Sequence, residues 1–264
     1  MTHQQRPRSR VRLGKIEIDS IGFNEAVDTV TALARDGRAE LVVTPNADHL
    51  VRLEEDAEFR EIYRAAALVV ADGMPLVWAS RLIGPSLPER VSGSDLMIAV
   101  CERAAREDLP VFILGGPPGV APIAAAKLVN RYPGLRIVGC YSPPFGFEKD
   151  AAENDRIVDM INASGARIVF VGVGSPKQER WIHAHRTRLE AGVLLGVGAA
   201  IEFAAGTVSR APAWMQKSGS EWLFRLCQDP KRLARRYAKD FMVFPIFLRS
   251  YLSRRQIRRP ALLR

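Results

Sequence analysis

Cysteine is scarce in this chain, and the few present do not pair by spacing. The 264 residues hold three: Cys101, Cys140 and Cys227. An odd number, far apart and without a CxxC, indicates neither a disulfide framework nor a cysteine zinc site. The thiols read instead as small hydrophobes in a reducing compartment. Histidine is equally sparse, at four. His183 and His185 stand two apart and would not share a helix face, and His3 and His49 are isolated. No metal-ligand spacing emerges, and no DxD-type acidic pair lies near the glycine loops. The expectation is no metal and no cofactor. Long apolar runs are missing too. The longest towards the C-terminus, Phe241 to Leu248, is far shorter than the roughly 20 residues of a spanning helix, so the chain is expected not to cross a membrane. The basic, polar start from Met1 to Arg12 lacks the apolar core of a secretory signal. Residues 1–15 are expected to be a disordered basic N-terminus.

Several motifs are absent as well. There is no GxxxxGK[ST] P-loop. There is no GxGxxG with an acidic residue after the next strand, which excludes a common nicotinamide enzyme. No GxSxG elbow supports Ser-His-Asp chemistry. Net charge is +9, but it is lopsided: residues 210–264 hold 14 Lys/Arg against 3 Asp/Glu, and the rest hold 24 against 26. A near-neutral body with a basic tail calls for an anionic partner at the tail only.

What is present is an alternation of apolar strands and helical stretches from Leu41 to Gly198. It predicts a mostly parallel sheet with helices on both faces. A helix over Glu25–Arg35 would be capped by Asn24, and others follow over 94–107, 150–163 and 181–190. Strands are expected at Leu41, Leu68, Pro110, Leu135, Arg167 and Val193. Three of them end in polar tips: Thr44-Pro45-Asn46, Ala71-Asp72-Gly73, and Gly172-Val173-Gly174-Ser175-Pro176-Lys177-Gln178-Glu179. Ligands collect at the carboxyl ends of parallel strands, so these tips suggest one pocket. Gly115-Gly116 and Gly172-Val173-Gly174 follow strands and precede helices, where backbone N–H groups can hold phosphate oxygens. They read as nucleotide contacts or as plain turns.

Asp72 is the one carboxylate set immediately before a turn glycine at such a tip. It reads as a general base for a substrate hydroxyl, or as the cap of a turn. Thr44 and Asn46 either orient a sugar or cap the next helix. Glu179 is accounted for by the helix dipole. After Pro212 the composition changes to aromatics interleaved with Arg and Lys, without strands, which predicts a helical basic appendage over 210–264. That appendage suits an anionic membrane surface, with Phe241–Leu248 dipping into the interface. Nucleic acid phosphates are the competing partner, and a solvated basic helix packed on the body is the plain alternative. The apolar run favours the membrane.

Taken together, Thr44-Pro45-Asn46, Ala71-Asp72-Gly73, Glu89-Arg90-Val91-Ser92-Gly93, Gly174 to Glu179, Arg210-Ala211-Pro212, Glu221-Trp222-Leu223-Phe224-Arg225 and Pro230 to Tyr237 resemble the WecG/TagA/CpsF glycosyltransferases. The resemblance runs from about Ile16 to Tyr237. It implies a Rossmann-like domain over 16–209 and a membrane-associating appendage that completes an acceptor site. It implies transfer of a sugar, with inversion and without a metal, from a UDP-sugar to a polyprenyl-diphosphate-linked saccharide. N-acetylmannosamine, its uronic acid and glucose are donors among such enzymes, and their products are teichoic acid-like or exopolysaccharide intermediates. The place would be the inner face of the cytoplasmic membrane, with no nucleic acid partner and a homo-oligomer left open. By that resemblance Asp72 is the base, with Thr44, Asn46, Arg90 and Gln178 beside it. Gly115, Gly116, Gly172, Gly174, Lys177, Gly198 and Glu202 would contact the UDP-sugar. Arg225, Arg232 and Arg235 would grip the acceptor diphosphate. Relatives often carry Asp-Phe where this chain has Glu202-Phe203. A nucleotide-binding peripheral membrane protein without transferase activity is the alternative.

Overall fold

A computed structural model describes residues 8–83 and 86–257 of the chain. The alternating pattern folds as expected, into one six-stranded, all-parallel sheet. Its strands are β3 (Glu40–Val43), β4 (Leu68–Val69), β5 (Val111–Gly115), β6 (Ile137–Tyr141), β7 (Ile168–Gly172) and β8 (Val193–Gly196), in the spatial order β4-β3-β8-β7-β5-β6. The central strands β5, β7 and β8 are almost wholly buried. That is why their sequences read as unbroken apolar runs instead of alternating.

Helices cover both faces. On one lie α1 (Phe23–Asp36), α5 (Gly93–Arg106), α6 (Val120–Arg131) and α9 (Ala200–Ala205), which share a core with Val111, Ile113, Phe170 and Leu195. On the other lie α2 (Ala47–Glu55), α3 (Ala57–Arg64), α4 (Met74–Ile83), α7 (Ala151–Ser164) and α8 (Lys177–His185), around Leu41, Leu114, Val171 and Leu194. After β5 the chain turns to the first face, and after β7 to the second. This divergence between neighbouring strands opens a crevice at their carboxyl ends.

Four local expectations are corrected. Residues 10–13, expected to be disordered, form a strand, β1 (Arg10–Leu13), paired antiparallel with β2 (Ile16–Asp19). Val11 and Leu13 point inward while Arg10 and Arg12 face out, so a basic strand hid a period-2 apolar face. Asp19 fastens this hairpin to the sheet: it is buried, it pairs with Arg10 Nε at 2.9 Å, and it accepts the Val69 N–H at 2.9 Å. Residues 1–7 lie outside the described residues. The N-cap of α1 is Gly22, not Asn24, and the Phe23 N–H is taken by Glu89 Oε1 at 2.7 Å from a distant loop. Strand β6 starts at Ile137 instead of Leu135, and α8 starts at Lys177 instead of Trp181.

The basic appendage is helical: α10 (Ala213–Lys217), α11 (Glu221–Gln228), α12 (Pro230–Asp240) and α13 (Val243–Ile257). It folds back on the body. Val243 and Ile246 are buried, the Ile246 side chain lies against Gly14 of the hairpin, and the Gly14 N–H donates to Ser250 Oγ at 3.1 Å. Phe241, Phe244, Leu248 and Leu252 remain exposed.

Gly115 shows what the sheet edge demands. Its φ is +119°, and an added Cβ would lie 2.5 Å from the carbonyl of Gly172 on β7. Both strain and overpacking follow, each costing on the order of 1–3 kcal/mol. Gly115→Ala is therefore expected to lose roughly 2 kcal/mol or more of stability, read as a lower urea midpoint at unchanged slope.

Candidate active site

The tips of all six parallel strands converge on one cleft of about 890 Å³, within the size range of small-molecule sites. Thr44 and Asn46 come from β3, Asp72 from β4, Gly116 from β5, Tyr141 from β6, Gly172 and Gly174 from β7, and Gly196 and Gly198 from β8. Lys177, Gln178, Glu202 and Arg225 also line it. Eleven of the expected site residues thus meet. Gly115 is not among the lining residues, and its missing side chain makes room for the close β5–β7 approach. Arg90 lines a second cavity, of about 330 Å³, with Met74, Trp78, Arg210, Trp222, Tyr237 and Phe244. Asn46, Asp72, Ser94, Phe203 and Arg225 line both, so the two cavities meet at Asp72. Arg232 and Arg235 sit on α12, but their side chains lie outside the described ones.

Backbone hydrogen bonds hold the Asp72 loop on both sides. The Asp72 N–H donates to Pro45 O and the Val91 N–H to Ala71 O, each at 2.8 Å. Gly73, at φ +144°, makes the turn. The carboxylate does reach a helix N-terminus, but of a different helix from the one it precedes: the Gly93 N–H at the start of α5 donates to Asp72 Oδ2 at 3.4 Å.

Asn46 caps α2 through a reciprocal pair with His49, each bond 3.3 Å, while still lining both cavities. Gln178 is buried: its Oε1 accepts the Gly198 N–H at 3.0 Å and its Nε2 donates to Glu179 Oε1 at 2.8 Å. It braces the β8 tip, and Gly196 leaves the space for it, since a Cβ there would lie 2.7 Å from Gln178 Nε2. Glu179 lies in the first turn of α8, as its helix-dipole account expects, and is buried there, accepting the bond from Gln178. At the lip, Lys177 pairs with Glu148 at 3.0 Å and lies over the exposed Phe145 ring.

Charge around Asp72 is unbalanced. Arg90 Nη1 lies 4.0 Å from Asp72 Oδ1 and 3.2 Å from Glu221 Oε2, and Arg90 Nη2 lies 3.1 Å from Asp95 Oδ2. Arg210 pairs with Asp95 and stands 3.7 Å from Glu221. Burial pushes the Asp72 carboxyl up to about 6. Arg90 and the Gly93 N–H oppose the rise, and Glu221 and Asp95 add to it. Asp95 goes the other way: despite burial, its bonds from Arg210 and Ser92 hold it below the usual range. A carboxylate with a value near neutrality, at the junction of two cavities, suits proton abstraction from a hydroxyl. Asp95 escaped the sequence reading, because its partner Arg210 is distant along the chain and its own spacing shows only a helix cap. Among the described residues no three His, Cys, Asp or Glu side chains form a metal-holding group.

The glycosyl transferase WecG/TagA/CpsF family model matches residues 11–259. The chain belongs to that family. WecG/TagA/CpsF membership makes it a glycosyltransferase of cell-surface polysaccharide synthesis and suggests, in general terms, a nucleotide-sugar donor and a lipid-linked acceptor. Among the described residues no helix is long and apolar enough to cross a membrane.

The value near 6 fixes two pH dependences. A base must be ionised, so kcat/KM should fall as pH drops through about 6. The raised value also means that Asp72 costs native stability as pH rises from about 4 to about 6, a loss that is complete above about 6. Asp72→Asn should therefore melt higher than the wild type at pH 7.5, and the gap should close below about pH 4, where both carboxyl states are protonated.

Proposed function

We propose that this protein is an inverting, metal-independent glycosyltransferase. It moves a hexose-type sugar from a UDP-sugar to a saccharide linked to polyprenyl diphosphate, at the inner face of the cytoplasmic membrane. The observation that carries the reading is the meeting of two unlike cavities at one raised carboxylate. The larger is built from glycine turns and helix starts, the setting in which backbone N–H groups hold diphosphates. The smaller combines Arg90, Arg210 and Arg225 with Trp78, Trp222 and Phe244, a mix that fits an anionic group with an apolar chain attached.

In the reaction the acceptor hydroxyl gives its proton to Asp72 as its oxygen attacks the anomeric carbon. The bond from that carbon to the diphosphate breaks, and UDP leaves from the opposite face with the electron pair. Loop N–H groups and arginines would balance the developing charge. The exposed Phe241, Phe244 and Leu248, beside cations each contributing roughly 1 kcal/mol at an anionic surface, suit adsorption to the membrane and an acceptor drawn from it. The donor sugar and the acceptor glycan belong to the experiment: a donor panel with a lipid-linked acceptor, read by product mass.

Calorimetric titration should show UDP binding to the same extent with and without magnesium. Asp72→Ala should keep that binding and lose about 10²–10⁴-fold in turnover. Turnover at the wild-type rate in Asp72→Ala would remove Asp72 from the role. Strict dependence of UDP binding on magnesium would overturn the metal-independent reading. Failure to float with anionic vesicles would remove the membrane part.

A further inference from the structure

Two arginines and three carboxylates pack together where the appendage meets the sheet edge. Arg90 comes from the loop before α5, Asp95 from α5, Asp72 from β4, Arg210 from the approach to the appendage and Glu221 from the start of α11. Arg90 stands in the middle. Its Nη1 is closer to Glu221, at 3.2 Å, than to Asp72, at 4.0 Å, and its Nη2 is held by Asp95 at 3.1 Å. Arg210 completes the ring, donating to Asp95 Oδ2 at 2.8 Å and to Ser92 Oγ at 3.3 Å, with its Nε 3.7 Å from Glu221 Oε1. Ser92, the cap of α5, donates its hydroxyl to Asp95 at 2.6 Å. Arg90, Arg210 and Glu221 side chains are each less than a quarter exposed.

We propose that Glu221 and Asp95 are positioning residues: they draw the Arg90 guanidinium away from full pairing with Asp72, so that the ionisation of the base depends on the seating of the appendage. This rests on the reading of Asp72 as the base. The physical argument is a count of charge. With all five groups ionised the cluster is one negative charge in excess, and one guanidinium shared among three carboxylates neutralises none of them fully. Fully paired, Asp72 would be a poor base at neutral pH, because a carboxylate beside an arginine is driven to low values. Glu221 is the only acid of the cluster supplied by the appendage. With α11 undocked, Arg90 would turn to Asp72 and Asp95 alone. The base is therefore poised only when the element lining the second cavity is in place.

The other charged or titratable groups lining the two cavities around Asp72 are Arg225 on α11, Tyr237 and Asp240 on α12, His49 on α2, and Lys177, Tyr141 and Glu202 at the far side of the cleft. Burial raises the Asp72 carboxyl most, Arg90 and the Gly93 N–H lower it, and Glu221 and Asp95 raise it further, while Asp72 and Arg210 also attract each other.

The test is a carbon-13 NMR titration of aspartate carboxyls in the full chain, with Asp72 assigned by its loss in Asp72→Asn. Glu221→Gln keeps an acceptor for Arg90 and removes the charge. It should move the Asp72 midpoint down by about half a unit or more. The acidic limb of kcat/KM should move with it. Arg90→Gln should move the midpoint up. Glu221→Asp should restore the wild-type midpoint at least in part. An Asp72 midpoint unchanged in Glu221→Gln, with only a lower melting temperature or a higher acceptor KM, would reduce Glu221 to a structural anchor and overturn the proposal. Because the titration needs no turnover, it separates this failure from failure of the base assignment, which would show as undiminished turnover in Asp72→Asn.

Discussion

All six strands of the main sheet run the same way, and the site depends on that constraint. In a parallel sheet every strand delivers its carboxyl end to the same edge. There the chain must turn sharply before each helix. Buried parallel strands need covering on both faces, and the alternation of cover after β5 and β7 holds the edge open as a cleft. The glycines at these tips follow from the same crowding. Gly172 lies against Ile201 and Gly198, and Gly196 yields space to Gln178.

A cleft of this kind binds polar ligands but does not by itself abstract protons. The proposed proton abstraction by Asp72 depends on where the chain places its charges. A single Asp–Arg pair beside the cleft would be a stable ion pair and a weak base. Here the pair is diluted by Asp95 and Glu221, while Arg210 keeps the assembly from excessive repulsion. Removing either arginine from this part-buried cluster would leave its carboxylates uncompensated, at a cost in stability. The cluster therefore ties the appendage to the sheet edge and sets the state of Asp72 by the same contacts.

Much of this was legible beforehand, and the reasons differ by residue. The strands at Leu41, Leu68, Pro110, Arg167 and Val193 could be read because burial on both faces demands continuous apolar runs. Asp72 could be read because a carboxylate before a turn glycine, after an apolar strand, has few places to go. The first strand could not, since Arg10 and Arg12 masked Val11 and Leu13 and its anchor Asp19 acts across the fold on Val69. The cap of α1 is not legible in the sequence, because the group that takes the Phe23 N–H is Glu89, far along the chain. Gly115 is ambiguous in the sequence because strand–glycine–glycine is the same pattern whether the missing Cβ makes room for a phosphate or for a neighbouring strand. Asp95 was missed because ion pairs formed across a hundred residues leave no spacing to read.

The central claim is that donor and acceptor meet at Asp72 from separate cavities. The most direct measurement is a crystal structure of the full chain, as its Asp72→Asn form, with a UDP-sugar and a short-chain prenyl-diphosphate acceptor. The account predicts UDP among the glycine turns and the prenyl diphosphate between the arginines and aromatics of the appendage. It places the acceptor hydroxyl about 3–3.5 Å from the anomeric carbon and within hydrogen-bond reach of residue 72. UDP lodged in the appendage cavity, or an anomeric carbon remote from residue 72 with both ligands bound, would contradict it.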